Sequence, residues 1–130
     1  MAIIHTITRS YKDQSPSTIS CIETPSANSE NNIDDSIPIS VNHQVHWACT
    51  VANLKSIVLY ADGAVNVFTN DLSTGSPQET IALAAGQAYI WTLVKDGVGK
   101  IPFAGNVTTI YVTNATAAAV AFKIRALQAQ

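Results

Sequence analysis

The chain reads as an all-β protein: a single antiparallel β-sandwich, jelly-roll-like, of eight or nine short strands. Three observations predict it. Apolar and polar residues alternate with period two along most of the sequence, which buries one face of a strand and wets the other. Turn residues punctuate these runs at roughly ten-residue spacing, the pattern of sandwiches and barrels. Helical support is nearly absent, because the alanine-rich stretch 82–88 is interrupted by Gly86 and 115–121 is hemmed by β-branched residues. With 130 residues the chain makes one domain, 1–130, large enough to bury a core without staples.

The elements follow in order. Ile3-Ile4-His5-Thr6-Ile7-Thr8 opens the chain as a strand, and residues 1–12 form an N-terminal strand or arm. Ser17 to Ile22 is the next, bracketed by Pro16 and Pro25 as suits an edge or short strand. Residues 24–36 are the most polar stretch and lack the apolar content to fold alone. They read as a long loop, either a plain surface loop or an arm ordered against a partner. Ile37 to Val41 and Val45 to Val51 alternate cleanly, with Asn42-His43-Gln44 either a turn between them or the middle of one long strand. Ser56 to Ala61, Asp62-Gly63 and Ala64 to Asn70 spell a hairpin, because a type I′ turn needs positive φ at both central residues. Thr74-Gly75-Ser76-Pro77 marks a turn. Glu79 to Ala84 and Ala88 to Val94 are strands, and the loop Lys95 to Gly105 tucks Ile101 and Phe103 under the sheet. A last hairpin runs from Val107 to Thr113, turns at Asn114 to Ala117 and returns through Val120 to Leu127. There Val120, Phe122, Ile124 and Ala126 share one face and Lys123 and Arg125 take the other, so a one-residue slip would bury both cations.

Charge and composition narrow the function. The net charge is −2 and no cluster of Lys or Arg appears, which argues against nucleic-acid binding. No apolar run reaches about 18 residues, so no membrane span is indicated. Met1 to Thr6 lacks a basic segment followed by a long apolar core, and the chain reads as made in the cytoplasm without a secretory signal. Charged residues are 12% of the chain, half the usual share of about 25%. Either the surface is simply hydroxyl-rich, or neighbouring subunits hide much of it, since interface cores are depleted of Lys, Glu and Asp.

No pattern of residues announces chemistry. Cys21 and Cys49 read as small hydrophobes rather than as a disulfide. His43 and His46, three apart, point to opposite faces of a strand, and with His5 and the two cysteines they lack zinc-site spacing. Asp34-Asp35 has none of the spaced carboxylates of a calcium loop. There is no Gly-x-Ser-x-Gly elbow and no phosphate loop; Cys21 beside His43 or His46 is a formal nucleophile–base pairing only. No metal or cofactor is expected, and the chain reads as a non-enzyme. Trp47, Tyr60, Tyr89, Trp91 and Tyr111 fit a core or a subunit contact. The alternative is a carbohydrate platform built on Tyr89 and Trp91, which point the same way along one strand.

The run from Leu54 to Asn70, then Ile81 to Gln87 with Trp91, then Val107 to Asn114 has a definite order. A strand, Asp-Gly and a strand ending Thr-Asn precede Leu-x-x-Gly and Trp, and Val-Thr-x-x-x-Val-Thr-Asn follows. This order, over residues 54–127, resembles small virion proteins of tailed bacteriophages. The resemblance implies a non-enzymatic virion protein, a capsid cement or decoration protein. Such a protein would sit on the capsid surface as a homotrimer and clamp subunits of the major capsid protein. A tail, neck or baseplate component is the neighbouring alternative, and a carbohydrate-binding module the more distant one. The family offers no catalytic motif to carry over. The expected contact residues are Ile3, Ile4, Ile7 and Tyr11 in the N-terminal arm, with Asn31, Asn32, Ile33, Asp34 and Asp35 in the polar stretch, because extended arms can add a strand to a neighbour's open sheet edge.

Overall fold

A computed structural model describes residues 2–12, 18–70 and 79–129. The turn expected at Thr74 to Pro77, and Pro16 beside the second strand, lie outside the described residues. The chain forms β1 (Ile3–Ile4), β2 (Ile7–Lys12), β3 (Thr18–Glu23), β4 (Ser26–Ala27), β5 (Ser29–Ile37) and β6 (Ser40–Val45). Then come β7 (Leu54–Ala61), β8 (Val65–Thr69), β9 (Thr80–Leu83), β10 (Tyr89–Thr92), β11 (Ile110–Asn114) and β12 (Val120–Gln128). Two single 3-10 turns, Val51–Asn53 and Val98–Lys100, complete the regular structure, and no α-helix forms among the described residues. The protein is therefore all-β, and its paired strands are antiparallel.

Eight strands make two four-stranded sheets. The first has the order β10-β7-β12-β5 and the second β6-β11-β8-β9; β1-β4 and β2-β3 form two short ribbons. Twelve strands form among the described residues, against the eight or nine expected; the expectation included the ribbon strands at Ile3–Thr8 and Ser17–Ile22 but not β4 or β5. The alternation in sequence sets the inward faces. Ile57, Leu59 and Ala61 of β7, Val120, Phe122, Ile124 and Ala126 of β12, Val65 and Val67 of β8, and Ile110 and Val112 of β11 belong to one buried cluster. Each large side chain fully buried there contributes on the order of 1.5–3 kcal/mol. Trp47 and Phe103 extend the cluster, their rings 5.9 Å apart at 49°.

Consecutive strands mostly do not pair. From β5 to β12 every connection except β8 to β9 passes from one sheet to the other. This corrects both expected hairpins. β7 and β8 lie in different sheets, and neither Asp62 nor Gly63 has positive φ. Instead Asp62 is held on β12. Its backbone N–H donates to Ala121 O (3.1 Å), and its Oδ1 accepts from the Ala121 N–H (2.8 Å). Gly63 serves a close approach, since a Cβ there would stand 2.6 Å from Val120 Cγ2. β11 and β12 likewise separate, and the crossing is held by buried Asn114. Its Nδ2 donates to Ile37 O (3.0 Å) and Ala118 O (2.9 Å), while its Oδ1 accepts from the Thr116 N–H (2.9 Å).

The polar stretch 24–36 is also corrected. It is not a loop but strand: β4 and then the nine residues of β5, which pair with β12 from Ser29↔Gln128 to Ile37↔Val120. A composition poor in apolar residues suffices because β5 is an edge strand, with one neighbour to pair with and only Ile33 and Ile37 committed to the core. Asn42, His43 and Gln44 sit inside β6.

Candidate interaction surfaces

The N-terminal segment is a ribbon laid over the first sheet. Its alternation is unbroken: residues 2, 4, 6, 8 and 10 and residues 20, 22, 24, 26 and 28 are exposed, and those between them face inward. A bond from the His5 N–H to Pro25 O (3.1 Å) joins the two short pairings. The ribbon covers the outward side of the first sheet. Leu127, Ser56 and Thr92 have no exposed surface, although all three stand outside the inter-sheet cluster; Ile7 of the ribbon is buried as well. His5 and Ile7 flank a shallow cleft with Val58 and Arg125 of that same side.

Charge fixes the ribbon in place. Arg9 of β2 donates to both carboxylate oxygens of Asp96, at 3.1 and 2.6 Å, and its Nε lies 2.6 Å from Glu23 Oε2. Glu23, buried on β3, also accepts a hydrogen bond from the Thr92 hydroxyl. The Thr92 N–H donates in turn to Asp96 Oδ2 (2.9 Å). Each charge of the cluster thus has a partner, as its partial burial requires. Hydrogen bonding to Arg9 holds the Asp96 carboxyl below the usual carboxylate range, and the same contact raises Arg9. Beside this cluster the Lys95 ammonium donates to Cys21 Sγ (3.0 Å), which pushes the lysine upward.

The ribbon's outward side is different in kind. Ala2, Ile4, Thr6, Thr8, Ser10, Ser20, Ile22, Thr24, Ser26 and Asn28 are exposed, and none is charged. Ile4 is 62% and Ile22 67% exposed.

The expected contact residues divide between the two sides. Ile4 faces out; Ile7 is buried and Ile3 half-buried against the body. Tyr11 lies in β2 opposite Ile19, its side chain outside what is described. Asn31, Asn32, Ile33, Asp34 and Asp35 all lie in β5. Ile33 packs on the core, Asp34 takes two hydrogen bonds from Arg125 (2.9 and 3.1 Å), and Asp35 meets His43 of the other sheet at 3.4 Å. The structure therefore does not bring these nine residues into one patch.

The outward face of the second sheet was missed in the sequence. The register places Thr80, Phe68, Tyr111 and Gln44 side by side across its four strands. A second row holds Ala82, Asn66 and Thr113, continued by Asn42, whose N–H donates to Thr113 Oγ1 (3.2 Å). Among the described residues no strand covers this face, and neither row holds an Asp, Glu, Lys or Arg. A groove of about 450 Å³, lined by Ala64, Asn66, Ala82, Thr113, Ala115 and Thr116, opens at one end.

The remaining candidates have structural surroundings. Both cysteines are free thiols; Cys49 is buried and pushed up to about 11 by desolvation. Among the described residues no group of three His, Cys, Asp or Glu could hold a metal, and no helix is long and apolar enough to cross a membrane. Tyr89 and Trp91 do not form an exposed platform. Both point toward the core, where Trp91 is 2% exposed and its Nε1 donates to Gly97 O (3.0 Å).

No family model matches the chain, and no curated protein matches it. Among solved structures, the solution NMR structure of a de novo designed double-stranded beta-helix matches at 12% identity. The match covers 72% of this chain and 97% of that one, with a TM-score of 0.38, too low to bear on fold or function.

Proposed function

We propose that this chain is a non-enzymatic structural protein of a tailed-bacteriophage virion. It acts as a capsid cement protein, binding as a homotrimer between subunits of the major capsid protein on the head surface. Its fold is a jelly roll; the sheet orders β10-β7-β12-β5 and β6-β11-β8-β9, with crossings between the sheets, support that reading. The observation that carries the function is the outward side of the ribbon over residues 2–10 and 20–28, where no exposed residue is charged and Ile4 and Ile22 stand exposed. Interface cores share this depletion of charge. A surface fixed to its own body by Arg9, Glu23 and Asp96 is also pre-organised, so little ordering entropy opposes docking. Binding restricted to the assembled shell stabilises it by mass action, and identical contacts on a trimer add through avidity.

Deleting residues 1–12 is a poor test, because it would remove Arg9 and leave the buried Glu23 carboxylate and Asp96 without their cation. The better variant is the double substitution Ile4→Asp and Ile22→Asp, which leaves the inward side of the ribbon unchanged. Occupancy on purified heads, read by cryo-electron microscopy, is expected to fall at least tenfold, in line with the loss of a hot spot of about 1.4 kcal/mol or more. Unchanged occupancy rejects the reading. Wild-type density confined to the tail, away from the icosahedral lattice, replaces it with a tail role.

A further inference from the structure

We infer that the outward face of the sheet β6-β11-β8-β9 is a binding site for a neutral carbohydrate. This goes beyond the assembly role, which uses the ribbon on the opposite side of the molecule. The centre of the face is the cross-strand pair Phe68 and Tyr111, direct partners in register on β8 and β11. Both are half-exposed, although their neighbours Val67 and Val112 are in the core. Two rings side by side on a pleated surface offer an apolar platform to the C–H faces of a pyranose. Around them stand amides and hydroxyls only: Gln44, Asn66, Thr80 and Thr113, which donate and accept as sugar hydroxyls require. The groove at Asn66, Ala82 and Thr113 lies two residues, about 7 Å, further along the same strands. Its volume of about 450 Å³ falls within the range of small-ligand sites. Small side chains at Ala64, Ala82 and Ala115 leave that space open.

The same chemistry argues against other occupants. An anionic or cationic polymer would need opposite charges, and the two rows hold no Asp, Glu, Lys or Arg. A second protein could use the same rings as anchors, but it would bury them in a larger apolar centre than this face offers. Here the rings and a few alanines are the only apolar groups, set among polar uncharged ones.

Affinity electrophoresis of the full chain through gels containing soluble neutral polysaccharides (starch, hydroxyethylcellulose, galactomannan) tests the site, with polygalacturonate as the charged control. Retardation is expected in at least one neutral gel and not in polygalacturonate. Tyr111→Ala and Phe68→Ala should each weaken it by about tenfold or more, with circular dichroism showing the fold retained. For the wild type, amide shift changes on adding maltohexaose, cellohexaose or mannohexaose, the oligomer matching the retarding gel, should centre on residues 66, 68, 111 and 113. This second readout does not depend on any variant folding. The inference is overturned by mobility unchanged in every neutral gel, by retardation only in polygalacturonate, or by binding indifferent to both substitutions. It is also overturned if Tyr111→Ala dissociates an oligomer in light scattering, which would make the face a contact between copies.

Discussion

Leu127 on β12 and Tyr111 on β11 both point away from the shared core, yet their surroundings are opposite. Leu127 has no exposed surface, because the N-terminal ribbon lies across its sheet. Tyr111 stands half-exposed on a sheet that no described strand covers. Ionic contacts follow the same division. Arg9 with Glu23 and Asp96, and Asp34 with Arg125, gather on the first sheet and its ribbon. The outward rows of the second sheet hold no such charge. A chain with few charged residues has placed three of them, Arg9, Glu23 and Asp96, where they secure its own cover. The other face is left inexpensive to desolvate, since polar groups without full charge lose less on leaving water.

The largest expected effect breaks the covered side. Leu127→Ala should destabilise the protein by about 2–5 kcal/mol, the range for a fully buried leucine. Urea denaturation followed by Trp fluorescence measures it. A cost below about 1 kcal/mol would mean that the ribbon does not cover the first sheet in solution.

The sequence made the strands legible but not their partners. Alternation reports which residues share a face, and the inward set of β12 follows it without exception through Ala126. It says nothing about which strand lies alongside. For this reason two crossings between sheets looked like hairpins. At Asp62-Gly63 the glycine answers to space beside Val120 rather than to positive φ. β5 escaped notice because an edge strand needs little apolar material; Asn31 and Asp35 share their side with Ile33. The Arg9–Asp96 contact joins residues 87 apart in sequence, and no local pattern announces it. The neutral face is written as Asn66-Val67-Phe68 and Tyr111-Val112-Thr113, but only strand register makes Phe68 and Tyr111 neighbours.

A smaller effect sharpens the role of charge on the covered side. Because hydrogen bonding to Arg9 lowers the Asp96 carboxyl in the folded state, the ionised form is favoured by folding. The corresponding stability is complete above the unfolded value, near 3.8, and is lost as pH falls through the folded value. Thermal melts between roughly pH 2.5 and 6 should therefore show a steeper acid loss for wild type than for Asp96→Asn, with the curves converging at the acid end. Parallel curves would detach Asp96 from the fixing of the ribbon.

The smallest expected effect lies on the bare face, and it separates a surface kept for folding from one kept for binding. Phe68→Ala removes half of a cross-strand aromatic pair whose worth is about 0.2–1 kcal/mol, at a half-buried position outside the core cluster. The shift in urea midpoint should stay within that range, several-fold below that of Leu127→Ala. A cost approaching that of a core residue would show that Phe68 is needed to hold β8 against β11. A residue required for stability explains its own presence, and the pair would then lose its claim to be a platform. A small cost leaves two half-buried aromatic rings on the sheet surface with no folding reason to be there, which is the condition under which a ligand becomes the better explanation.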